Sequence, residues 1–137
     1  MTAVQSFLAA AYPRHQVSAD ALHSGDPQPF LDVWSEREKT TLFPPEAMAG
    51  QGSDAIGSIV RSVATRMSGG TPLALEIVNA TVSGDLAFFC GWERCEVATD
   101  GGAPEPSVMR VTQIYRCEDH EWRLLHRHAS HGAAGTE

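Results

Sequence analysis

The run Trp122-Arg123-Leu124-Leu125-His126-Arg127-His128-Ala129-Ser130 sets two imidazoles and two guanidinium groups in an otherwise apolar stretch. It reads as a strand. Successive side chains of a strand point to opposite faces, so Trp122, Leu124, His126, His128 and Ser130 share one side. Arg123, Leu125, Arg127 and Ala129 share the other. A half-buried strand that carries three ionisable residues in succession must pair or neutralise them. One of its faces therefore lines a polar pocket or an interface.

The elements around this strand divide into helices first and strands last. Val4 to Ala11 is apolar and alanine-rich, and Pro13 interrupts it because proline lacks an amide donor. Pro13 fits the first turn of a helix running to about His23, or a kink in one longer helix. Gly25 suits a left-handed helix end, and Asp26 with Pro27 starts a second helix carrying Phe30, Leu31 and Trp34. Thr40 to Phe43 is a short strand closed by Pro44-Pro45, and 46–52 is a loop. Ser53 and Asp54 cap a third helix with Ile56, Ile59, Val60, Val63 and Met67 on one side. Four strands follow: Leu73 to Ser83, Leu86 to Thr99, Ser107 to Cys117 and Glu121 to Ser130. The Ser83-Gly84-Asp85 turn joins the first pair, and a Gly/Pro loop over 100–106 separates the next. Helices segregated from a mainly antiparallel sheet make an α+β fold, here a curved sheet around a conical hollow.

The length of 137 residues suits one domain over 1–137, with 1–12 as an N-terminal helical extension and 131–137 as a flexible tail. A net charge of −7 argues against a nucleic-acid partner, which would require a basic patch. Nine of the ten basic residues are arginine and only Lys39 is lysine, a bias that fits either carboxylate-gripping clusters or genomic composition. No apolar run is long enough for a membrane span, and Met1 to Ala11 lacks the layout of a signal peptide. Cys90, Cys95 and Cys117 are odd in number and lack zinc-type spacing, so free thiols in the cytoplasm are expected. No cofactor motif, phosphate loop or nucleophile elbow is present, and no cofactor is expected.

The ordered fragments Ser-Gly-Asp-Pro (24–27), Leu-Phe-Pro-Pro-Glu-Ala-Met (42–48), Gly-Asp-Leu-Ala (84–87), Arg-Val-Thr-Gln-Ile-Tyr-Arg (110–116) and Trp122 to Ser130 resemble the SnoaL-like branch of the nuclear-transport-factor-2-like superfamily. Within it they are most similar to the association domain of calcium/calmodulin-dependent protein kinase. The resemblance covers roughly 14–130. It implies a cystatin-like cone of three helices against a curved sheet, commonly dimeric, with a pocket inside. It does not imply one activity, because a shared fold hosts many reactions. At the positions that ketosteroid isomerases use for base, tyrosine and late aspartate, this chain has Pro44, Ser18 and Gln113. Proline cannot abstract a proton, so that chemistry is not expected. The kinase domain's pocket arginines match Glu93, Gln113 and Ala129, and Arg127 could replace them from the same face.

The resemblance also implies which faces point inward: Phe89, Gly91, Glu93 and Cys95; Val111, Gln113 and Tyr115; Leu125, Arg127 and Ala129. Phe30, Trp34 and Phe43 would close the hollow. The expected ligand pocket is thus Phe30, Trp34, Phe43, Phe89, Glu93, Gln113, Tyr115, Leu125 and Arg127, apolar with a few convergent polar groups. An internal Glu93–Arg127 ion pair is the competing reading. His126 and His128 would lie on the outer face, where three roles compete: contacts across a homodimer, general-base catalysis, or metal binding. A metal needs a third ligand, none is evident among the neighbouring strands, and no metal is expected. His15 and His23 are expected at the surface, His120 in a left-handed turn, and Cys95 within possible reach of Cys117.

Two function classes follow. One is a protein that binds a small apolar or carbonyl-containing molecule. The other is a cofactor-free isomerase, cyclase or dehydratase working by acid–base catalysis, with His126, His128 and Glu93 as candidate catalytic residues.

Overall fold

The computed structural model describes residues 1–132; of the tail expected over 131–137, His131 is the last residue of a strand and 133–137 lie outside the described residues. Three helices, α1 (Ala3–His23), α2 (Gln28–Asp32) and α3 (Ser53–Arg66), pack on a strongly curved sheet of β1 (Thr41–Phe43), β2 (Gly50–Gln51), β3 (Met67–Ser68), β4 (Ala74–Ser83), β5 (Leu86–Thr99), β6 (Glu105–Glu118) and β7 (Glu121–His131). The sheet order is β2-β1-β7-β6-β5-β3, with β4 also on β5. The fold is the expected α+β cone. The sheet is mixed, because β1 runs parallel to β7 while the long strands are antiparallel.

Helix α1 passes through Pro13 as one element. Phe7, Ala11, His15, Ser18, Ala19 and Leu22 are buried at helical spacing on both sides of the proline, so packing outweighs the one amide bond it removes. Thr2 and Gln5 form a reciprocal capping box at its start. Of the first dozen residues Phe7 and Ala11 are buried in the core, Phe7 completely. Gly25 ends the helix at φ +94°, as expected. Helix α2 is shorter than its sequence pattern, and Trp34 lies beyond it in a bridge to Leu124.

The hairpin between β6 and β7 turns on Asp119 and His120, both at positive φ, which fits the right-handed twist of the strands. The pairing register then shifts at Ile114/Tyr115: Ile114 faces His126, whereas Tyr115 faces Leu124. Leu125 is the extra residue of this β-bulge. The bulge overturns the strict alternation read along β7. Leu124, not Leu125, is buried, and Trp122 packs edge-on against Phe7 with ring centroids 5.1 Å apart. Beyond the bulge Arg127 and Ala129 point inward as expected. Cys95 pairs with Ser107 in the sheet while Cys117 pairs with Trp122 at the other end, so these two thiols are apart.

One end of the cone is solid, filled by Phe7, Phe89, Tyr115, Trp122 and Leu124. The other end, between α3, the end of β7 and the start of β6, is hollow. Strand β4 bulges near Val78 where it crosses Gly91 of β5. A Cβ placed on Gly91 would lie 2.0 Å from the Glu76 carbonyl oxygen. Gly91→Ala should therefore destabilise the protein by about 2–3 kcal/mol through forced backbone movement. Urea unfolding checks this, and an unchanged midpoint would contradict the close approach.

Candidate functional site

The hollow is a cavity of about 520 Å³. Ile59, Val60 and Val63 of α3 form one wall, Leu42 and Ala129 the facing one, and Leu22, His23 and Phe30 close it from the first two helices. Pro44, Pro45 and Glu46 lie at its rim opposite Gly102, Ala103 and Glu105. Its polar floor is Arg127, which is 8% exposed.

Arg127 is held by its neighbours on the inner face of the sheet. Its Nη1 donates to Glu93 Oε2 at 2.9 Å and to Gln113 Oε1 at 2.8 Å, and its Nη2 donates to Glu93 Oε1 at 2.9 Å. The two planar groups thus meet fork to fork, the strongest geometry open to them. His15 reaches Glu93 Oε2 from α1 through Nε2 at 2.5 Å. The Gln113 amide donates to the Tyr115 hydroxyl at 2.5 Å. The Phe30 ring lies 5.7 Å from the guanidinium carbon. Burial alone would raise the Glu93 carboxyl, but the charge of Arg127, then His15 and both hydrogen bonds hold it far below the usual carboxylate range. Burial would lower Arg127, and Glu93 more than reverses that. Burial raises the Tyr115 hydroxyl, which stays protonated.

The competing reading of Glu93 and Arg127 as an internal ion pair is thus the geometry found. A carboxylate held so firmly ionised is a poor proton acceptor, which argues against Glu93 as a general base. Of the expected pocket residues, Phe30 and Arg127 line the cavity. Glu93, Gln113, Tyr115 and Phe89 lie buried in the layer beneath. Trp34 is buried beside β7, Leu125 sits at the bulge, and Phe43 is 41% exposed. Phe43 stands edge-on to His126 and His128, at 5.0 and 5.6 Å between ring centroids. His126 also meets Thr41 Oγ1 at 2.6 Å through Nδ1. Burial, then the nearby His128, lowers its pKa. Both histidines lie on the outer face, away from the cavity.

His15 and His23 are buried at 4% and 7% exposure, against the surface positions expected of them. Both fall on the stripe that buries Ala11, Ala19 and Leu22, so helical spacing carried the signal. Burial holds His23 below the usual histidine value. Its Nδ1 lies 3.7 Å from Cys95 Sγ, a thiol that burial, then Glu93, pushes up to about 11. Cys95 is therefore a neutral packing partner. No group of three or more His, Cys, Asp or Glu side chains among the described residues is arranged to hold a metal ion.

The sequence profile described as the SnoaL-like domain matches residues 16–134. No curated protein matches the sequence. Among solved structures, a proposed dehydratase of the NTF2-like family from Streptomyces avermitilis has 15% identity and a TM-score of 0.75, over 95% of this chain and 99% of its own. A ketosteroid isomerase-like protein from Erwinia carotovora atroseptica has 18% identity and a TM-score of 0.75, over 92% and 96%. A proposed calcium/calmodulin-dependent protein kinase type II association domain from Thiobacillus denitrificans has 19% identity and a TM-score of 0.70, over 90% and 96%. At these identities the likeness establishes the fold.

A Glu93→Gln substitution leaves Arg127 buried without its counter-charge and should lower stability at neutral pH by about 3–5 kcal/mol. Because the folded-state value of Glu93 is depressed, its contribution is present above the ordinary glutamate range and fades as pH falls through and below that range. The gap between wild type and Glu93→Gln should therefore narrow in acid. Urea midpoints at about pH 7 and about pH 3 measure it; an equal gap at both would contradict the pairing.

Proposed function

We propose that this chain, which belongs to the SnoaL-like domain family, binds one small, mostly apolar molecule whose carbonyl oxygen meets Arg127 at the cavity floor. One observation carries the reading. A guanidinium has five N–H donors, and Glu93 and Gln113 take three of those on Arg127. The other two have no protein acceptor among the described residues, on a side chain that lines the cavity together with Leu42, Val60, Val63 and Ala129. An unmet donor in such a place costs free energy that a ligand oxygen would recover. Since Glu93 already neutralises the guanidinium and the remaining charged lining, Arg66 with Glu46 and Glu105, carries no net positive charge, a neutral carbonyl fits better than an anion.

The enzyme reading rests on His23. Burial keeps it neutral, and it lines the same cavity as Arg127. A bound ketone would meet a polarising donor and a neutral imidazole together, the pair that enolisation requires. The outer-face pair His126 and His128 is better suited to association. We propose a homodimer through that face, where Phe43 is exposed beside the histidines. A cytoplasmic setting suits the three free cysteines. No helix among the described residues is long and apolar enough to cross a membrane.

A thermal-shift titration with aryl ketones such as acetophenone tests the binding reading. Ligand at about a hundred times its Kd adds about 2.7 kcal/mol of stability. Val63→Trp, which fills the cavity, should abolish the shift; a shift that survives it would sink the assignment. The same titration in heavy water, followed by NMR, separates the two readings. Retained α-protons mean binding alone, while exchange lost in His23→Gln means enolisation. Sedimentation velocity tests the dimer, which Phe43→Glu should convert to monomer.

A further inference from the structure

A second cleft, of about 450 Å³, opens at the solid end of the cone between α1, the residues after α2 and the β6–β7 turn. Three of its lining groups have hydrogen-bonding capacity that the protein does not use. Arg14 is half-buried, and its guanidinium donates only to main-chain carbonyls, to Trp122 O at 2.9 Å and Asp32 O at 3.4 Å. No carboxylate among the described residues lies within ion-pair distance of it, whereas the neighbouring Arg123 is paired with Glu121. His15 gives Nε2 to Glu93, and since an ionised carboxylate can only accept, that nitrogen carries the hydrogen. The other ring nitrogen, Nδ1, has no hydrogen-bond partner among the described residues. Tyr115 receives the Gln113 amide, and its own O–H has no acceptor among them. His15 and Tyr115 are both more than nine-tenths buried, and both line the cleft.

We propose that this cleft is a binding site for a small hydroxycarboxylate, separate from the cavity that holds Arg127. Asp32 and Glu121 also line the cleft, but Glu121 is paired with Arg123 and Asp32 accepts from the Gln28 side-chain amide. The ligand carboxylate answers Arg14, which has no ion pair among the described residues, and the Tyr115 O–H, since guanidinium forks match carboxylates. The ligand hydroxyl, which can both donate and accept, meets His15 Nδ1, the ring nitrogen that Glu93 leaves unpaired. Ala10, Ala11, Val33 and Trp122 supply an apolar side for a short hydrocarbon or an aryl ring. The floor of this cleft and the floor of the first cavity are then opposite ends of one hydrogen-bonded chain, from His15 through Glu93 to Arg127.

Mandelate is a suitable probe, with phenylacetate lacking the hydroxyl and benzyl alcohol lacking the carboxylate. In amide-detected NMR titrations of the full chain, mandelate should saturate and perturb Ala10, Arg14 and the Trp122 indole. Phenylacetate should bind several-fold more weakly, and benzyl alcohol should not compete. Arg14→Gln should weaken mandelate by about tenfold or more, Arg14→Lys by less, because the charge survives without the fork. Val63→Trp, in the other cavity, should leave the affinity unchanged. Perturbations confined to Val60, Leu42 and Ala129, equal affinity for phenylacetate, or no saturable binding to wild type would each overturn the proposal, whether or not the variants fold.

Discussion

A buried arginine is the constraint around which this chain is arranged. A guanidinium withdrawn from water costs several kcal/mol unless a counter-charge meets it in good geometry. Glu93 supplies that from β5, and Gln113 and His15 complete the set from β6 and α1. Two strands are therefore tied to Arg127 directly, and α1 through Glu93. The β-bulge at Leu125 decides whether they can be. It lets Leu124 and Arg127 both face inward, three positions apart, which an unbroken strand forbids. Arg127 then stands directly across from Gln113, its hydrogen-bond partner.

The same arrangement divides the interior. On one side of the polar layer, aromatic rings fill the cone and fix the approach of α1 to the sheet. On the other side α3 stands off, and the space between is left open. A polar layer of this kind cannot be filled over with hydrocarbon while its donors are unmet, so the hollow and the charge pair belong together. The layer presents donors to the hollow and an imidazole to the cleft behind it. The residues of greatest chemical interest are thus on the inside of α1 and β7, while the paired histidines of β7 decorate the outer face.

Much of this was legible in the sequence, and the failures have definite causes. The hairpin at Gly84, the turn at Asp119-His120 and the bounds Leu86 to Thr99 follow from local turn chemistry, which survives folding. The inward parity of Glu93, Gln113 and Arg127 held because period-two alternation persists along β5, β6 and the end of β7. Leu125 departs from the alternation because a bulge shifts the face by one residue and leaves no local mark. Residue type points His15 and His23 to the surface, although their spacing from Ala11, Ala19 and Leu22 puts them on the buried stripe. His15 meets its partner, Glu93, nearly eighty residues away, and no local pattern encodes that. Strands β2 and β3, two residues each, exist only through their pairing and carry no signal of their own.

The central claim is that the Glu93–Arg127 pair serves recognition at the cavity floor rather than stability. Replacing both charges with hydrocarbon of similar volume separates the two roles, since such double replacements are often neutral or stabilising. The decisive measurement is the acetophenone Kd of a Glu93→Met, Arg127→Leu double variant that unfolds at the wild-type urea concentration or above. The account predicts a folded protein whose ketone affinity falls by about tenfold or more, the loss of a hydrogen bond from a charged donor. A stable double variant that binds the ketone as tightly as wild type would contradict it.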